Sequence, residues 1–123
     1  MLKILHIPKF PIPLWTGIEQ VFVFSGYRYD EYVSITNCIE VPNSSSTPAD
    51  TFVITAGSLL SVVMTLSPPE TIVGFGHTHP ADMPSPSDED IEGIDDESFG
   101  VVLCNGNSVW YDNKGVIFPR LLG

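Results

Sequence analysis

The sequence predicts an α+β fold: one mixed β-sheet with a central helix and a further short helix near the middle of the chain. Three observations carry this expectation. Short runs rich in valine, isoleucine and aromatics stand on both sides of one helix-patterned segment, and turn-forming residues separate them at close intervals. The length of 123 residues, 43% hydrophobic and 16% charged, suits a single domain over 1–123 built round one core.

Taken in order, QVFVFSGY (20–27) and EYVSITNCIEV (31–41) read as a strand pair, because both are dense in β-branched and aromatic residues and turn residues lie between them. PNSSSTPAD (42–50) consists of turn formers and reads as an exposed loop. In TAGSLLSVVMTLS (55–67), Leu59, Leu60, Val63 and Met64 recur at helical spacing, Thr55 is placed to cap, and Pro68-Pro69 is placed to stop the helix. TIVGFG (71–76) is a short apolar strand that runs into His77. FGVVLC (99–104), SVWYD (108–112) and GVIF (115–118) are three further short strands, joined by the hairpin turns NGN and DNKG. The proline-rich HIPKFPIPLWTG (6–17) predicts no regular helix, since proline lacks the amide a helix interior needs.

Composition narrows the function. Fifteen acidic residues against five basic ones give a net charge of -10, which repels a phosphate backbone and argues against nucleic-acid binding. No uninterrupted apolar stretch suits a secretory leader or a membrane span, so the expectation is a cytoplasmic protein with no membrane association. Cys38 and Cys104 stand far apart with no Cys-x-x-Cys pair, and both read as reduced, buried thiols.

The chemistry gathers in GHTHPADMPSPSDED (76–90). At a strand exit, residues two apart share a face, so His77 and His79 present two imidazoles together. Pro80 stops further strand pairing. Ser87, followed by three acids, reads as the cap of a helix over Asp88 to Ile94, with Asp90 at the capping-box position. A tetrahedral zinc held by His77, His79 and Asp90 would keep a fourth position for water. Each part alone has a plainer explanation, a packed histidine pair or a simple capping box.

The whole pattern, His-Thr-His-Pro, six residues, then Ser-x-x-Asp, resembles the signature of the JAMM metalloproteases, the JAB/MPN family that includes deubiquitinases and their prokaryotic relatives. His77, Thr78, His79, Pro80, Ser87 and Asp90 match it without a gap. That family also carries a glutamate before a hydrophobic strand ending in Ser-Gly, and EQVFVFSG (19–26) makes Glu19 its counterpart. The likeness in element order covers about 18 to 118. The resemblance implies a three-layer, cytidine-deaminase-like MPN domain and one Zn2+ per chain on His77, His79 and Asp90. Glu19 would act as base and then acid, and Ser87 would donate a hydrogen bond to the oxyanion.

The implied substrate is the extended tail of a ubiquitin-like protein joined to lysine or a small amine, held by pairing with a strand edge and flanked by the 42–50 loop. Two departures qualify the type. The family's helix before the glutamate has no match in the proline-rich segment, and the short connection from Asp90 to Phe99 lacks the insertion of linkage-specific deubiquitinases. A minimal prokaryotic or viral enzyme is implied. A non-catalytic MPN-type scaffold and a RadC-type protein are the alternatives, and Glu40 is the rival base. Cytidine deamination itself is set aside for want of a Pro-Cys-x-x-Cys motif.

Overall fold

The computed structural model describes residues 3–6, 14–30, 32–118 and 120–121, with side chains for 14–30 and 32–118. Among these residues eight strands and two helices follow in the order β1 (Lys3–His6), β2 (Val21–Arg28), β3 (Val33–Val41), α1 (Ala56–Val63), β4 (Thr71–Thr78), α2 (Asp88–Gly93), β5 (Phe99–Cys104), β6 (Asn107–Asp112), β7 (Gly115–Ile117) and β8 (Arg120–Leu121). The proline-rich stretch contributes no helix at 14–17, and its residues 7–13 lie outside the described ones.

All eight strands form one mixed sheet in the order β7-β6-β5-β4-β2-β3-β1-β8. β2 runs antiparallel to both of its neighbours, β3 and β4, so α1 carries the chain across β2 between two parallel strands. β4 and β5 pair in parallel, which requires a long crossover, and the segment 79–98 with α2 supplies it. The tight reversal between β5 and β6 rests on Asn105 and Gly106, both at positive φ (50° and 83°), the backbone that a two-residue hairpin demands.

Side chains alternate across the strands and divide the core in two. Phe22, Phe24, Phe99, Val101, Leu103 and Trp110 belong to a cluster on one face. Val21, Val23 and Val41 line the other, against Val62 of α1, and Val102, Cys104 and Tyr111 extend that face towards α2. Both described helices therefore lie on the same side of the sheet. The α+β class expected from the sequence is the one found.

Helix α1 departs from its expected face. Thr55 caps it as foreseen, its Oγ1 accepting from Ser58 N at 3.1 Å, but the helix stops at Val63, with Met64 as its C-cap. Leu60, Val63 and Met64 are 49–77% exposed, and the contacts to the core come from Leu59 and Val62 instead. Phe52 and Ile54, just before the cap, already fill the space over Val21 and Val23, so only one edge of the short helix reaches the sheet. β4 runs on through His77 and Thr78 rather than ending at Gly76. Cys104 is buried as expected, and Cys38 is half-buried. Burial, with Glu40 adding to it, pushes the Cys38 thiol up to about 11. No helix among the described residues is long and apolar enough to cross a membrane.

One close approach sets the register of β2 on β3. At the irregularity between Ser25 and Gly26, a Cβ on Gly26 would run into the Ser34 carbonyl oxygen and lie 3.0 Å from Ile35 Cα. Backbone cannot yield as a side chain can. Gly26→Ala should lower stability by about 3 kcal/mol in urea unfolding. Gly93→Ala, where a Cβ meets nothing within 4 Å, serves as the neutral control. Equal stabilities of the two variants would show that the approach at Gly26 is not a constraint.

Candidate metal centre

The pairing of β2 with β4 places the first two elements of the site. Val21 stands opposite His77, so two residues back along β2 and two residues on along β4 bring Glu19 and His79 to the same face. The pairing continues past the strand ends: Thr78 N donates to Gln20 O at 3.0 Å, Gln20 N to Thr78 Oγ1 at 2.8 Å, and His79 N to Leu103 O at 3.0 Å. Pro80 closes the run, and its carbonyl accepts from Cys104 Sγ at 3.2 Å.

The crossover brings the third element. Ser87 caps α2 in a full capping box: Asp90 N donates to Ser87 Oγ at 3.1 Å, and Ser87 N donates to Asp90 Oδ2 at 2.9 Å. The box fixes the Asp90 carboxylate, and the same Oδ2 faces the histidines. His77 Nε2 lies 3.0 Å from His79 Nε2 and 3.2 Å from Asp90 Oδ2, and His79 Nε2 lies 3.4 Å from that oxygen. Glu19 Oε1 stands farther off, 3.8 Å from both Nε2 atoms. All five residues singled out in the sequence, Glu19, His77, His79, Ser87 and Asp90, are thus brought together. Glu40 is not: it is exposed on β3 opposite Phe22, which packs in the other core cluster.

The donor atoms suit a cation. Met83 O can only accept, so the 3.0 Å contact from His79 Nδ1 puts a proton on Nδ1 and leaves Nε2 bare in the neutral ring. His77, fully buried, also turns Nε2 to the cluster, and its Nδ1 has no partner among the described residues. Phe52 packs on the His77 ring at 4.5 Å between centroids. Glu19, His77 and His79 each offer a ligand atom within 4.8 Å of the others and could hold a metal ion. Asp90 Oδ2 is nearer to the two histidines than Glu19 is.

Electrostatics follow from burial and from this crowding. Burial raises the Glu19 carboxyl to about 7, opposed by His79 and assisted by Asp90 and Asp50. Burial also drives the His77 ring down, against the pull of Asp90. For His79 burial works the same way, but Asp90, the Met83 carbonyl and Glu19 outweigh it and raise the ring. The Asp90 carboxyl also resists charge on account of burial, yet its bonds with His77 and His79 hold it well below the usual carboxylate range.

Glu19, His79, Ser87 and Asp90 open on a cleft of about 580 Å³. Phe52, Ile54, Phe75, Met83 and Ile94 supply apolar wall, and among the described residues those that line the cleft include five carboxylates but no lysine or arginine. The second half of the 42–50 loop reaches it through Ala49 and Asp50. Sequence reasoning missed Asn43, the clasp of this loop. Its Nδ2 donates to Glu19 O at 2.8 Å and to Thr51 O at 3.0 Å, and its Oδ1 accepts from Ser45 N at 3.0 Å and Val53 N at 3.2 Å. Glu19 N donates in turn to Pro48 O at 2.7 Å. An asparagine among turn formers was the only signal in the sequence. Glu70 accepts from Thr36 Oγ1 at 2.6 Å.

No protein-family model matches the chain, and a search of curated proteins finds no match. Solved structures do match. The solution structure of a Desulfitobacterium hafniense protein is similar with a TM-score of 0.69 at 18% identity, over 87% of this chain and 79% of that one. A crystal structure of a JAB1/MPN domain protein from Archaeoglobus fulgidus is similar with a TM-score of 0.53 at 17% identity, over 88% of this chain and 83% of that one. At such identities the likeness is one of fold: the chain has the architecture of an MPN domain.

Removing the loop clasp should be costly. Asn43→Ala leaves several half-buried backbone groups without partners and should lower stability by about 2 kcal/mol in urea unfolding. An unchanged midpoint would mean that the loop holds Glu19 without it.

Proposed function

We propose that the chain is a zinc-dependent peptidase that cleaves an isopeptide or peptide bond after the carboxy-terminal tail of a ubiquitin-like protein. One observation carries the reading: His77 Nε2, His79 Nε2 and Asp90 Oδ2 lie within 3.4 Å of one another, His79 and Asp90 lining a cleft and His77 buried behind them, with a buried glutamate just beyond. A tetrahedral zinc bound at about 2.0–2.1 Å sets its ligands roughly 3.3 Å apart. The three separations of 3.0, 3.2 and 3.4 Å fit that spacing. Glu19, at 3.8 Å from both rings, fits a group standing one water away better than a fourth ligand. The JAB1/MPN fold and the match of the motif residues support the same assignment.

When bound, zinc supplies a Lewis acid for the scissile carbonyl and makes water nucleophilic near neutral pH. Glu19 takes the proton of the attacking water and delivers it to the departing amine, which must leave protonated because a lysine amine has a pKa of about 10.4. Ser87 serves twice. Its Oγ lone pair accepts from Asp90 N, while its own proton stays free to donate to the oxygen of the tetrahedral adduct. Phe52, Phe75 and Met83 give the cleft apolar wall against which an extended tail can lie.

Elemental analysis should find one zinc per chain, lost in the His77→Ala, His79→Ala double variant. Glu19→Gln should keep its zinc while turnover of a ubiquitin-like fusion falls by roughly 10² to 10⁴, and Glu40→Gln should stay within a few fold. Zinc bound by a chain that turns over no such substrate would move the reading to a non-catalytic binding scaffold. Zinc lost from Glu19→Gln would make that residue a ligand.

A further inference from the structure

A polar group in the cleft has no place in the assignments above. Tyr111 of β6 is 1% exposed, yet it lines the cleft beside Glu19, His79 and Asp90. Its hydroxyl makes no hydrogen bond to any described residue. The ring is buried, but the hydroxyl oxygen is open to the cleft, where a bound group can take the place of its water.

The sheet is built to put the ring there. Tyr111 stands opposite Gly100 on β5, and Gly100 stands opposite Phe75 on β4. A Cβ on Gly100 would occupy the space of the Tyr111 ring, with Cζ foremost. The missing side chain is therefore a cradle. It lets the ring lie flat across β5, so that its hydroxyl end points towards β4 and the histidines. The ring meets His77 edge-on, at 6.3 Å between centroids and 80° between planes. Any other residue at position 100 would lift the ring off the sheet.

We propose that Tyr111 is a substrate-binding residue of this cleft, its hydroxyl donating a hydrogen bond to a main-chain carbonyl of the bound tail. The proposal rests on the peptidase reading for the identity of the ligand, but the cradle and the unpaired hydroxyl stand apart from it. A neutral carbonyl is the acceptor that fits. Glu19 and Asp90 flank the site, so an anionic acceptor would meet their charge, and an extended peptide presents a carbonyl at every residue.

Tyr111→Phe removes the hydroxyl and keeps the ring on Gly100. In a Glu19→Gln background, which holds a substrate intact, calorimetry would follow a pentapeptide amide ending in glycine. Affinity should fall about tenfold on adding Tyr111→Phe, with zinc content unchanged, and kcat/KM of the single variant on a ubiquitin-like fusion should fall by at least as much. Gly100→Ala should reproduce the loss if it folds. Equal peptide affinity and equal kcat/KM would overturn the proposal while leaving the peptidase reading intact. A tenfold affinity loss in a chain without turnover would keep Tyr111 and remove the peptidase. Loss of zinc from Tyr111→Phe would overturn the proposal, because the residue would then support the metal site.

Discussion

Two imidazole nitrogens and a carboxylate oxygen crowd within 3.4 Å of one another at the end of β4, and three lone pairs cannot face each other so closely without a positive charge among them. A proton on one ring can serve. A divalent cation serves better, since it meets all three at once. Much of the surrounding architecture exists to hold this crowding in place. The register of β2 on β4 aligns Glu19 with the histidines, Met83 O orients the His79 ring, and the capping box of α2 delivers Asp90 Oδ2 across the crossover. Each involves a main-chain group, so the site side chains are tied to the backbone of the sheet, the crossover and α2.

Much of this was legible in the sequence because it depended on local chemistry. The apolar runs became strands where strong β-formers met turn residues, and the reversal at Asn105-Gly106 followed from backbone requirements that few residue pairs meet. The site was legible for a related reason. Ser87 and Asp90 are bound to each other within one helical turn, and His77 and His79 share a face by strand alternation alone. Glu19 needed the likeness of the motif, since nothing local distinguishes it from Glu40; only the pairing of Val21 with His77 separates them.

What stayed hidden was set by long-range packing. The apolar stripe of α1 looked like Leu59, Leu60, Val63 and Met64, but Phe52 and Ile54 reach the same core first and turn three of those four to the surface. Asn43 gave little sign and Tyr111 none, because their roles depend on residues far along the chain. One holds the carbonyl of Glu19, and the other lies in a gap left by Gly100 on the neighbouring strand. A glycine inside a strand signals close approach, but not which side chain makes it.

The central claim is that His77, His79 and Asp90 are the ligands and that Glu19 stands outside them. X-ray absorption at the zinc edge, on the zinc-loaded chain and on its Glu19→Gln variant, tests it directly. The account predicts two imidazoles and additional oxygen ligands at about 2.0–2.1 Å, with spectra that superimpose for the two proteins. Fewer than two imidazoles, or a ligand lost when Glu19 becomes glutamine, would contradict it.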